Sequence, residues 1–181
     1  MSVKHLVSCA AMALLPLQPS VGHAQTNSLH VQNAHAPVIE AAREALAQYR
    51  DPAAALAAGY VAQAVCVSGP QEGAMGVHFV KPAIFDGAIE LEAPEALVYE
   101  PLRGGLRLVA AEYIAPAAAW HASHQPGDQP QLAGHLFHFV AGPNRYGPDA
   151  FYELHVWAFE HNPSGAFADW NPNVSCAPWE P

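Results

Sequence analysis

Five short runs rich in β-branched and aromatic residues, separated by Gly, Pro and Asn, constrain this chain more than any other feature. They are Gly76–Val80, Leu97–Glu100, Leu106–Ile114, His135–Val140 and Phe151–Phe159. Runs of this length and make-up, bounded by turn residues, predict strands. Arg103-Gly104-Gly105 between the second and third predicts a hairpin turn. Asn144–Pro148 and Asn162-Pro163-Ser164-Gly165 predict further turns, the latter of type I. Residues 121–133 read as an exposed loop.

Ahead of the strands the period changes. Val38, Ile39, Ala42, Ala45, Leu46 and Tyr49 fall on one helical stripe after Pro37. Asp51-Pro52 restarts a helix, with Asp51 as N-cap, through Ala-rich sequence to Gly59 or Val65. The expected fold is α+β: an N-terminal helical pair packed on a mainly antiparallel, barrel-like sheet. No internal repeat or second domain is evident, so 37–181 is expected to form a single globular domain.

The N-terminus has the layout of an export signal. Lys4 precedes an apolar stretch, Leu6–Leu17, and Gly22-His23-Ala24 offers a small-x-small cleavage site. The stretch is too short and broken to span a bilayer. We therefore expect a signal peptide over 1–24, a polar lead-in over 25–36, and a periplasmic or secreted product without membrane insertion. Cleavage would remove Lys4 and no acid, leaving 6 basic and 16 acidic residues. That balance argues against nucleic acid or an anionic membrane as partner. Of three cysteines, Cys9 would leave with the signal. Cys66 and Cys176 then predict one disulfide tying the end of the helical segment to the C-terminal tail.

Period-two alternation sets out the candidate site. In Leu106–Ile114, Glu112 is the one acid on a face shared with Leu106, Leu108, Ala110 and Ile114. A buried carboxylate needs a cation, a donor or a proton. In Phe151–Phe159, Glu153 and His155 share a face with Phe151, Trp157 and Phe159. His78 lies with Gly76 and Val80, and His138 with Leu136 and Val140. If these faces converge, His78, Glu112 and His155, completed by Glu153 or His138, make a mixed nitrogen/oxygen site for a divalent transition metal, zinc or copper above all.

Plainer readings stand beside this one. A single His on an apolar face is ordinarily a hydrogen-bonded core residue, and Glu112 can pair with Arg107, Arg145 or a buried amide. His121, His124 and His161 read as solvated. The same residues also suit a cavity binding a small-molecule ligand without metal, or an envelope protein whose polar core satisfies itself. There is no phosphate loop, Gly-x-Ser-x-Gly elbow, His-Glu-x-x-His helix or Cys-x-x-Cys pair.

At "GAMGVHFVKP", "PEALVYEP", "LRLVAAEYIAP" and "FYELHVWAFEHNPSGAFADWNPNVSC" the chain resembles a family of exported bacterial proteins with no established activity. The resemblance marks His78, Glu112, Glu153, His155, Trp170 and Cys176, within one domain. "RLVAAEYI" followed by "WHASH" is also similar to the oil-body-associated protein family. The gathering of His and Glu on adjacent strands resembles a cupin barrel, although the His-x-His pattern of cupins is missing and only Glu153-x-His155 stands in its place.

Overall fold

A computed structural model describes residues 37–179 of the 181. The expected signal peptide (1–24) and lead-in (25–36) lie outside the described residues. The chain opens with helix α1 over residues 37–45, a 3₁₀ turn at Ala47–Arg50, and helix α2 at Pro52–Ala57. Asp51 caps α2 by accepting the Ala53 N–H at 2.9 Å, as its side chain and position predict.

Strands β1 (Val61–Ser68), β2 (Ala74–Val80), β3 (Ala96–Leu102) and β4 (Gly105–Pro116) form an antiparallel meander. Helix α3 (Ala117–Ser123) follows, then the small hairpin of β5 (Gln131–Leu132) and β6 (His135–Leu136), and finally β7 (His138–Val140) and β8 (Phe151–Val156). The main sheet runs β1-β2-β3-β4-β8-β7, every neighbour antiparallel, and curls into a half-barrel. The α+β expectation therefore holds, and the Arg103-Gly104 hairpin closes on the pair Leu102 and Gly105.

The two faces of the sheet differ. One carries Val77, Phe79, Leu97, Tyr99, Ala111, Tyr113, Leu154 and Val156, and the helical pair covers it with Ala42, Leu46 and Ala55. On the other face, two small apolar clusters flank a polar centre. The first joins Ala74, Val98, Ala110, Trp157 and Val174; the second joins Val80, Ala96, Ile114 and Phe151. Between them His78, Glu112, Glu153 and His155 are all buried.

Several elements differ from the sequence expectation. The second helix stops at Ala57, because Gly59 adopts φ +91° and turns the chain out, and Val61–Ser68 becomes an edge strand. Its β-branched Val61, Val65 and Val67 suit a strand better than the Ala-rich helix they were expected to continue. Cys66 accordingly sits on β1, and its disulfide to Cys176, with Cα atoms 5.7 Å apart, ties this edge strand to the tail. Residues 121–123 belong to α3, since Ala117-Ala118-Ala119-Trp120 favours a helix directly after the strand. His135–Val140 breaks at buried Phe137, so β6 pairs with β5 while β7 pairs with β8. The last strand ends at Val156, and Phe159 packs toward the helix-covered core instead.

The alternation in β4 is also interrupted. Val98 faces Ala110 but Tyr99 faces Leu108, so Val109 is an extra residue, a β-bulge. The bulge shifts Leu108 into the helix-covered core while Ala110, Glu112 and Ile114 keep the opposite face.

Candidate metal centre

The pairing of β4 with β8 sets Glu112 directly opposite His155. β2 contributes His78, whose Nε2 lies 3.3 Å from Glu112 Oε2. The rings of His78 and His155 meet edge to face with centroids 6.0 Å apart. One ligand atom from each of His78, Glu112 and His155 lies within 4.8 Å of the others, and all three side chains are buried.

Two irregular segments close over this face. The loop between β7 and β8 is pinned by Asn144, which donates to the Asp149 carbonyl at 2.7 Å and accepts the Tyr146 N–H at 3.0 Å. It delivers Arg145 and Tyr146. Arg145 Nη2 donates to Glu112 Oε1 at 2.5 Å and also to Glu153 Oε2, and the Tyr146 hydroxyl donates to Glu112 Oε2 at 2.5 Å. The guanidinium stacks over Tyr146 and Phe151.

The C-terminal tail crosses the same face. It is held by paired backbone hydrogen bonds between Asn171 and Ala74, by Trp157 Nε1 donating to the Ala168 carbonyl, and by the disulfide. This places Asp169 Oδ1 at 3.7 Å from His155 Nδ1.

Glu112 is thus well partnered, by one of the three routes the sequence allowed. The imidazoles are not. Neither nitrogen of His155 makes a hydrogen bond, and neither does His78 Nε2, although all three are buried. Each buried group left unpaired costs about 1–3 kcal/mol.

The electrostatics keep His78 and Glu112 in coordinating form. Burial lowers the His78 pKa to about 4, against the opposing pull of Glu112, so the ring is neutral at pH 7. Burial opposes ionisation of Glu112, but the charge of Arg145 outweighs it and holds this carboxyl well below the usual range. Burial, followed by the charge of Glu112, pushes Glu153 up to about 9. Of these two neighbouring carboxyls, Glu112 carries the negative charge and Glu153 takes the proton.

Of the candidates drawn from the sequence, the fold gathers His78, Glu112 and His155 and places Glu153 beside them. His138 does not join. It pairs across from Glu153 at the open edge of the sheet, is largely exposed, and hydrogen-bonds Asp169 at 3.1 Å. A second group of ligand-type atoms, from Glu153, His155 and Asp169, also lies within 4.8 Å. The sequence reading missed Tyr146 and Asp169 as members of the site. Both come from turn-rich segments without period; the signal for Asp169 was the cysteine that forces the tail back across the sheet. No family model, curated protein or solved structure matches the chain.

Proposed function

We propose that this protein binds one divalent transition metal ion through His78, Glu112 and His155, with Glu153 beside them. The observation that carries the reading is His155, a fully buried imidazole with both nitrogens unpaired next to a third unpaired nitrogen on His78. Each neutral imidazole brings one lone pair, and a metal ion takes up lone pairs from two such rings and a carboxylate together.

The distances support it. Ligands bonded to a tetrahedral ion at 2.0–2.2 Å stand about 3.3–3.5 Å from one another. His78 Nε2 and Glu112 Oε2 are already 3.3 Å apart, and roughly 1 Å of side-chain movement brings in the third member. Two imidazoles and a carboxylate suit zinc or copper. Three protein ligands leave a fourth position for water or a ligand atom.

Arg145 does not contradict this assignment. It holds Glu112 through Oε1, while Oε2 is the oxygen turned to His78. We further propose that the protein works outside the cytoplasm. The Cys66–Cys176 disulfide supports this, and among the described residues no helix is long and apolar enough to cross a membrane.

A second reading, a polar core that satisfies itself, is favoured by the hydrogen bonds that Arg145 and Tyr146 donate to Glu112. Metal content decides between them. Protein purified without an affinity tag and analysed by mass spectrometry should hold one ion per chain. His155→Ala and Glu112→Gln should each weaken binding beyond the about 10–100-fold of an outer-shell change. Sub-stoichiometric metal that neither substitution alters would overturn the metal reading.

A further inference from the structure

A buried metal centre needs a route for its ion, and a line of ligand-type side chains runs from solvent to this one. His138 is the outermost, with 55% of its side chain exposed, and its Nδ1 is 3.1 Å from Asp169 Oδ1. Asp169 is 27% exposed and stands 3.7 Å from His155 Nδ1. His155 is fully buried and belongs both to the group with Glu153 and Asp169 and to the group with His78 and Glu112.

Nδ1 of His155 lies 3.7 Å from Asp169 Oδ1, and Nε2, across the ring from it, is equally buried and makes no hydrogen bond. The 3.7 Å between Nδ1 and Asp169 is too long for a hydrogen bond. It is close to the about 3.3–3.5 Å that separates two donors on one tetrahedral ion. Nδ1 is also buried and unpaired.

We propose that Asp169 and His155 Nδ1, joined by Glu153 as it gives up its proton to solvent, form a loading subsite that takes a divalent cation, with His138 at its mouth, before the ion moves inward to His78, Glu112 and His155 Nε2 and the ring proton passes from Nε2 to Nδ1. The proposal rests on the metal reading of the inner group and adds to it a second position and a direction of travel. The outer position offers mostly oxygen donors and partial exposure, so it exchanges ligands readily. The inner one offers two imidazoles and full burial, so it holds the ion. The Asp169 carboxylate near the mouth also raises the local cation concentration and the rate of encounter.

The test uses untagged, chelator-stripped protein and Co²⁺. Arrival of the ion is read by stopped-flow quenching of tryptophan fluorescence, since the Trp157 ring lies 6.2 Å from that of His155. Final coordination is read from the visible absorption of bound Co²⁺. Wild-type protein should load one ion per chain at equilibrium. Asp169→Asn should slow the second-order loading step at least about tenfold while one ion still binds. His138→Ala, at an exposed position that packing does not depend on, should slow it by a smaller factor. His78→Ala, which breaks the inner group, should keep fast but weaker binding at the outer one.

Wild-type loading rates in both Asp169→Asn and His138→Ala would overturn the subsite and leave the inner centre standing. So would a loss of affinity in Asp169→Asn that lies wholly in dissociation, because Asp169 would then only orient His155. Uptake that depends on Asp169 but not on His78 would instead overturn the inner centre. Failure of wild-type protein to take up Co²⁺ at all would overturn both.

Discussion

Glu95 offers a test of the buried electrostatics that does not depend on any metal. It stands just ahead of β3, is 2% exposed, and accepts the Ile114 N–H through Oε2 at 2.8 Å. Burial pushes its pKa up to about 8; the Ile114 N–H opposes this, and the charges of Asp86 and Glu112 add to it. The native state therefore keeps a proton that the unfolded chain releases near its ordinary value of 4.5. Because the folded value is raised, this contribution to stability is fully present below pH 4.5 and is lost as pH rises through 8. One proton corresponds to about 1.4 kcal/mol per pH unit, so the loss across this window has a ceiling of about 5 kcal/mol.

Glu95→Gln carries the neutral shape at every pH and keeps an oxygen for the Ile114 N–H. Urea unfolding of chelator-treated wild type and variant should be measured from pH 4 to pH 9. Their difference in stability should be flat below about pH 4.5, then climb in favour of the variant, and level off above about pH 8. Parallel curves across the range would refute the claim that Glu95 is protonated in the native state.

Three further outcomes follow from the packing. The Cys66–Cys176 disulfide spans 110 residues, which in the loop-entropy model contributes about 5 kcal/mol. Replacing both cysteines with serine should lower the denaturation midpoint accordingly, and a loss below about 1 kcal/mol would contradict that account. Gly142 closes the loop that carries Arg145 and Tyr146, and a Cβ there would stand 1.8 Å from the Pro148 carbonyl oxygen. Gly142→Ala should destabilise by more than about 1 kcal/mol and weaken metal binding together, and wild-type calorimetry would count against it. Tyr146→Phe removes a donor to Glu112 and should lower metal affinity by about 10–100-fold, measured by competition with a chromogenic chelator.

How far the sequence foretold this molecule depends on the range of the interactions involved. Strands β2, β3, β4 and β8 were legible because alternation is a local property, and for the same reason His78, Glu112, Glu153 and His155 could be assigned to one face. The bulge at Val109 left no local mark, so Leu108 was expected on the wrong side. His138 was expected to act from the interior because the break at Phe137, which leaves it on a short edge strand, depends on two separate pairing partners. Arg145, Tyr146 and Asp169 reach the site from loops, and no periodicity says where a loop docks. Of these, Arg145 was foreseen only as one of three possible partners for Glu112.

Arg145 also supplies the experiment that best separates a metal centre from a polar core that satisfies itself. Its guanidinium shares its charge between Glu112 and Glu153 in a buried setting. Removing one partner of a buried pair costs about 3–5 kcal/mol, because the remaining carboxylate has neither water nor a counter-charge. Arg145→Met keeps most of the length of the side chain and should show that loss in metal-free protein on either reading. The readings part when zinc is added. If Glu112, His78 and His155 form a cation site, a divalent ion replaces the missing charge and no longer faces the repulsion of the guanidinium. Zinc at a hundred times its Kd would then restore about 2.7 kcal/mol. At one fixed zinc concentration the variant, freed of that repulsion, should bind the ion more tightly, so its rise in Tm should exceed that of wild type. A polar core predicts a variant that is equally unstable with zinc and without it, and that result would remove the reason for placing a metal here.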